Sequence, residues 1–119
     1  MKPVIFGLSG EMPTDDERRL FRACDPAGYI LFGRNIRDVA QLRALTDSLR
    51  EIAGRSDLFI MVDQEGGRVA RMRPPVWPAY PPAGDFDALY EIAPSSAMEA
   101  ARCNARALGA MLAEAGLTA

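Results

Sequence analysis

Two carboxylates and two guanidinium groups are gathered around a glycine pair in Asp63-Gln64-Glu65-Gly66-Gly67-Arg68-Val69-Ala70-Arg71. In an extended chain Asp63 and Glu65 point the same way, because side chains alternate along a strand. Side by side they could act as an acid/base pair, or one could bind a ligand while the other holds the structure. Gly66-Gly67 lets the backbone turn sharply or come close to a ligand. Arg68 and Arg71 add rigid, permanently charged forks beside the acids. A cluster of this kind has the makeup of a site.

The segment before it says where the cluster sits. Leu58 to Val62 is an apolar run closed by turn residues, which reads as a strand buried on both faces. In barrels and open sheets of such strands, the carboxyl end carries the chemistry. Val4-Ile5-Phe6 and Tyr29-Ile30-Leu31-Phe32 are earlier strands of the same type. Thr14 and Glu17 form a capping box for a helix with an apolar face of Leu20, Phe21 and Cys24, stopped by Pro26-Ala27-Gly28. Asp38 and Gln41 cap a second helix in the same way. Its stripe is Val39, Leu42, Leu45, Leu49 and Ile52, and Gly54 ends it.

A proline-rich loop from Pro74 to Pro82 follows and cannot be regular structure, since proline lacks the backbone donor. Ser96 and Glu99 are placed to cap a last helix, with a stripe of Met98, Ala101, Ala105, Leu108 and Leu112. Ala101 and Ala105 suggest that this helix packs close to its sheet. The alternation of strands and helices predicts an α/β fold with parallel strands and right-handed crossovers. Three such strands leave two apolar edges uncovered, which natural sheets avoid. Closure into a barrel would cover them. Gly116-Leu117-Thr118-Ala119 reads as the approach to a fourth strand. We therefore expect residues 1–119 to form the first three βα units of a TIM (β/α)8 barrel, incomplete as given, with a small self-sufficient α/β sandwich as the alternative.

Val62 to Arg71 also resembles the signature of glycoside hydrolase family three, especially its bacterial beta-N-acetylhexosaminidases. Three further stretches agree in the same order: Tyr29 to Asn35, Arg73 to Pro78, and Leu112 to Leu117. The resemblance implies a barrel of roughly 250 residues. It implies that Asp63 hydrogen-bonds hydroxyls of the non-reducing sugar, and a carboxylate can accept from two adjacent ones. Arg71 would share that contact, its fork holding both Asp63 and a sugar oxygen. The plain alternatives are a loop-capping acid, an ion pair of Asp63 with Arg34, or a simple salt bridge of Arg71 with Asp63 or Glu65.

Retaining glycosidases place their two carboxyls about 5–5.5 Å apart, a separation that Asp63 and Glu65 could approach. Such a pair must flank the scissile bond, however, whereas neighbours on one strand approach it from one side. Glu65 is therefore expected to pair with Arg68 and fix the glycine turn. Trp77 and Tyr80 could stack on sugar faces, but packing of the proline loop is the stronger reading. Arg34 and Asn35 are taken as structural.

In this family the nucleophile is an aspartate near a later strand and the acid/base is a histidine–aspartate pair on a mobile loop. The chain has no histidine, so the resemblance carries over sugar-binding positions and no catalytic ones. What it implies for the full-length protein is a retaining, exo-acting beta-N-acetylglucosaminidase acting on carbohydrate, in particular cell-wall muropeptides, without a cofactor. A family-three beta-glucosidase and a non-catalytic carbohydrate-binding half-barrel are the other readings.

Composition narrows the classes further. A 49% hydrophobic share suits one globular unit, and a net charge of -2 with scattered basic residues gives no electrostatic case for nucleic acid. No apolar run approaches the roughly 20 residues of a membrane helix, and the N-terminal apolar stretch is too short for a secretory signal. Cys24 and Cys103 are expected as buried thiols in a cytoplasmic, metal-free protein. The remaining strands of the barrel would come from further C-terminal sequence or from self-association.

Overall fold

The computed structural model describes all of residues 1–119. Strand β1 (Lys2–Phe6) is followed by helix α1 (Asp15–Cys24), strand β2 (Pro26–Leu31), a 3-10 turn at Gly33–Asn35 and helix α2 (Val39–Ala53). Strand β3 (Phe59–Val62), helix α3 (Ala83–Tyr90) and helix α4 (Pro94–Glu114) complete the order. The strands form one parallel sheet in the order β1-β2-β3.

Local signals account for the helix ends. The Thr14 hydroxyl accepts from the Glu17 amide while the Glu17 carboxylate accepts from the Thr14 and Ser9 amides, which closes the expected capping box. Asp25, at φ 45°, ends α1 in the left-handed region, and Pro26 already begins β2. The Pro26-Ala27-Gly28 stop is therefore strand, and the helix terminator is Asp25. Its carboxylate is pinned by the Met1 amino group at 2.8 Å and by Arg55 at 2.7 Å. Asp38 accepts from the Gln41 amide as expected, but Gln41 does not return the contact to Asp38. Its side chain accepts from Arg37 N–H and donates to the carbonyls of Glu11 and Asn35, tying the β1–α1 loop to the β2–α2 connection.

The expectation of strands buried on both faces does not hold. Helices α1 and α2 both pack on one face, where Tyr29, Leu31, Ile60 and Val62 meet Phe21, Leu42, Leu45, Leu49 and Ile52. The alternate residues form the other face. Ile5, Gly28 and Phe59 lie in one row across the sheet, with Ile5 39% and Phe59 56% exposed. Gly28 is required in that row, since a Cβ there would fall 2.3 Å from the Phe59 carbonyl oxygen.

The C-terminal third departs most from expectation. Helix α4 starts at Pro94, a residue suited to the first turn because its missing amide would have had no partner. Ser96 and Glu99 therefore lie inside it. Helix α3 was not foreseen, and it packs against the start of α4, where Phe86 and Tyr90 border a small cavity with Ala101. Ala105 is exposed, so the small-residue pair does not meet the sheet. Only the last turns of α4 join the core, through Met111, Leu112 and Ala115.

Beyond α4 the chain is fastened to α2. Thr46 Oγ1 donates to the Ala115 carbonyl and Arg50 to that of Gly116, whose φ of 83° suits glycine. Thr118 and Ala119 then run beside β3. Thr118 N–H donates to Ile60 O at 2.8 Å and Val62 N–H to Ala119 O at 3.0 Å. Of the two thiols, Cys24 is half-buried and Cys103 is exposed, against the expectation that both would be buried.

Candidate functional site

Asp63 follows β3 directly, so strand alternation places it on the open face with Phe59 and Met61. Its side chain is 44% exposed and its Oδ2 lies 3.4 Å from Arg71 Nη2. The two residues singled out for sugar binding are thus together, at a carboxyl end of the sheet and reachable by solvent. A half-exposed pair at this distance contributes little stability. Arg71 keeps donors free for a second oxygen.

What brings Arg71 to Asp63 is Gln64, a residue the sequence reading passed over. Its Oε1 accepts from Arg71 N–H at 2.8 Å and Met72 N–H at 3.0 Å, while its Nε2 donates to Met72 O at 2.9 Å. One carboxamide therefore fastens the far end of the loop back to its start. The available signal was chemical rather than periodic: an amide side chain can satisfy a backbone donor and acceptor together.

The intervening turn is closed by backbone. Glu65 and Gly66 N–H groups both donate to Val69 O, and Gly67 N–H donates to Tyr80 O at 2.9 Å. Gly66 and Gly67 have φ of 95° and 57°. A Cβ on Gly66 would fall 2.2 Å from Pro81 O. The close approach that needs glycine is thus by the protein's own proline loop. Glu65 is exposed and forms no ion pair with Arg68, contrary to expectation. The backbone already closes the turn, and an exposed pair would add little to it.

The remaining candidates make contacts away from Asp63. Arg34 does not meet Asp63: its Nε donates to Leu8 O at 2.8 Å and its guanidinium lies 4.9 Å over the Phe32 ring. Asn35, fully buried, donates to Leu8 and Gly10 carbonyls and accepts from Phe32 N–H. Trp77 belongs to the core cluster, as the packing reading expects, and Tyr80 is half-buried. No group of three or more His, Cys, Asp or Glu side chains is close enough to hold a metal.

No protein-family model matches the chain. It is 40% identical over 99 residues to a beta-hexosaminidase of Bordetella pertussis, covering 83% of this chain and 28% of that protein. With a beta-hexosaminidase of Aromatoleum aromaticum it shares 39% identity over 112 residues, 92% of this chain and 31% of that one. The fold superposes on NagZ from Neisseria gonorrhoeae in complex with N-trifluoroacetyl-D-glucosamine with a TM-score of 0.86, at 29% identity, over 97% of this chain and 33% of that one. A glycoside hydrolase family three beta-N-acetylglucosaminidase from Paenibacillus aligns over 96% of this chain with a TM-score of 0.72 and 31% identity.

The chain is similar to one part of beta-hexosaminidases, including a family-three enzyme. It spans about three-tenths of the length of the curated relatives it matches.

Proposed function

We propose that the full-length protein is a beta-N-acetylglucosaminidase, and that residues 1–119 supply the first three βα units of its barrel and part of its sugar-binding site. In this reading Asp63 accepts from adjacent sugar hydroxyls and Arg71 bridges that carboxylate to a further sugar oxygen. The observation that carries it is the Asp63–Arg71 pair at the carboxyl end of β3, on the open face. The likeness to a NagZ crystallised with an N-acylated glucosamine supports the choice of sugar.

Hydrolysis needs a nucleophile and an acid/base on opposite sides of the glycosidic bond. Asp63 and Glu65 share one loop, so both catalytic groups are assigned to later segments of the barrel. The reaction would be exo-acting and retaining, on terminal N-acetylglucosamine of cell-wall muropeptides, in the cytoplasm and without a cofactor. The test is release of nitrophenol from its N-acetylglucosaminide by the full-length gene product and by residues 1–119 alone. We expect turnover by the first and none by the second. Turnover by the 119-residue chain that Glu65→Gln abolishes would move catalysis into the loop described here.

A further inference from the structure

Next to Arg71 lies a cleft of about 590 Å3 between the 3-10 turn after β2 and the loop after β3. Four arginines line it, Arg34, Arg37, Arg71 and Arg73, and no acidic residue does. We propose that this cleft is an oxyanion subsite, which takes a carboxylate or phosphate group carried by the aglycone of the sugar held at Asp63 and Arg71. The inference rests on the glycosidase reading above.

The charge balance singles out two of the four. Arg37 is neutralised by Glu11 at 2.7 Å and Asp38 at 3.0 Å, and Arg71 faces Asp63. Arg34 and Arg73 have no carboxylate partner. Both are nonetheless held in place through the same nitrogen. Arg34 Nε donates to Leu8 O, with its guanidinium plane over Phe32, and Arg73 Nε donates to Ala70 O at 2.5 Å. Arg73 also reaches Arg68 O, at a long 3.4 Å.

A guanidinium tied down at Nε offers its remaining donors in a fixed direction, the geometry that matches an oxyanion. Ordinary surface arginines are mobile and solvated, and binding through them must first restrict them. Arg34 and Arg73 are exposed, and their Nε bonds meet part of that cost in the free protein. Pro74, Pro75 and the buried Trp77 form a stiff wall opposite the 3-10 turn. Because Arg71 borders both places, an anion in the cleft would sit beside the sugar and not at a remote surface.

The experiment compares kcat/KM of the full-length gene product for three aryl N-acetylglucosaminides: a neutral nitrophenyl glycoside and analogues bearing a ring carboxylate or a phosphate ester. At low ionic strength at least one anionic substrate should be favoured by about tenfold. The preference should shrink in high salt, and which anion leads identifies the group recognised. Arg73→Gln, whose anchor lies within its own loop, should bring the ratio towards one, and Arg34→Gln should act in the same direction. Arg102→Gln, at an exposed residue of α4 that does not line the cleft, should leave the ratio as it was.

A wild-type ratio near one, or a ratio unmoved by Arg73→Gln, overturns the subsite. If no substrate is turned over, the glycosidase reading has failed instead. Calorimetric titration with inorganic phosphate then decides the cleft alone: binding weakened by Arg73→Gln keeps it as an anion site, and no binding removes it.

Discussion

The two faces of the sheet are built from the same three strands and serve opposite ends. One is sealed under α1 and α2, with Tyr29, Leu31 and Ile60 completely buried. The other leaves Ile5 and Phe59 substantially exposed and leads, two residues beyond Met61, to Asp63. Strand alternation alone separates them, so a residue's parity decides whether it serves stability or the site. The sealed face anchors the wall, and the open face carries the polar group at its carboxyl edge.

The sharpest way to break that comparison is to truncate one large side chain on each side. Leu45→Ala opens a hole beneath the sealed face and should cost roughly 2–5 kcal/mol. Phe59→Ala in the 119-residue chain should cost less than about 1 kcal/mol, because that side chain is mostly in water already. Urea unfolding of both variants measures the difference, and equal costs would mean that the open face is packed after all. In the full-length gene product, Phe59→Ala should become as costly as a core change if later strands close over it.

A smaller effect should follow from loosening the loop that joins Asp63 to Arg71. Gln64→Leu removes three hydrogen bonds and leaves the Arg71 and Met72 amides without their acceptor. We expect the full-length gene product to bind N-acetylglucosamine about tenfold more weakly, equivalent to 1.4 kcal/mol. Gln64→Glu keeps the acceptors and should fall between the two. Calorimetry showing full affinity in the leucine variant would remove Gln64 from the positioning of Arg71.

The smallest effect belongs to the sealed side. Partial burial pushes the Glu17 carboxyl up, but the Thr14 and Ser9 backbone N–H groups outweigh this and hold it below its ordinary 4.5. A carboxylate lowered on folding stabilises fully above that ordinary value, and the contribution disappears as pH falls through the folded value. Glu17→Gln should therefore cost a few tenths to about 1 kcal/mol at neutral pH. It should cost progressively less as the pH drops below 4.5. A penalty that stays constant across this range would assign the effect to packing.

How far the sequence could be read depended on how local each determinant was. The Thr14–Glu17 box, the Asp38 cap and the Gly54 stop were legible because each is settled within a few residues. Helix α3 was not: it follows Pro81-Pro82 directly, has no capping side chain and buries no residue completely. The apolar stripe of α4 is real as a pattern, but which surface it meets depends on α3 and on elements distant in the chain. The Asp63–Arg71 pair was legible only through the resemblance, since the residues alone left Arg71 to meet either Asp63 or Glu65, and the structure has it 3.4 Å from Asp63. The unformed Glu65–Arg68 contact and the role of Gln64 were not legible, since the path of the proline loop over Gly66 decides both. The open face was missed because an apolar run shows that a strand can be covered on both sides, without showing what covers it.

The central claim is that Asp63 belongs to a ligand and not to the fold. It is tested by Asp63→Ala in the full-length gene product, with thermal unfolding and kcat/KM for nitrophenyl N-acetylglucosaminide measured on the same preparation. Loss of a charged hydrogen bond to the sugar should cost roughly 1.5–3 kcal/mol of transition-state binding, a drop of more than about tenfold. The half-exposed 3.4 Å pair with Arg71 contributes so little that the unfolding midpoint should stay where it is. A midpoint that falls by several degrees with kcat/KM unchanged would contradict the account and make Asp63 a structural residue.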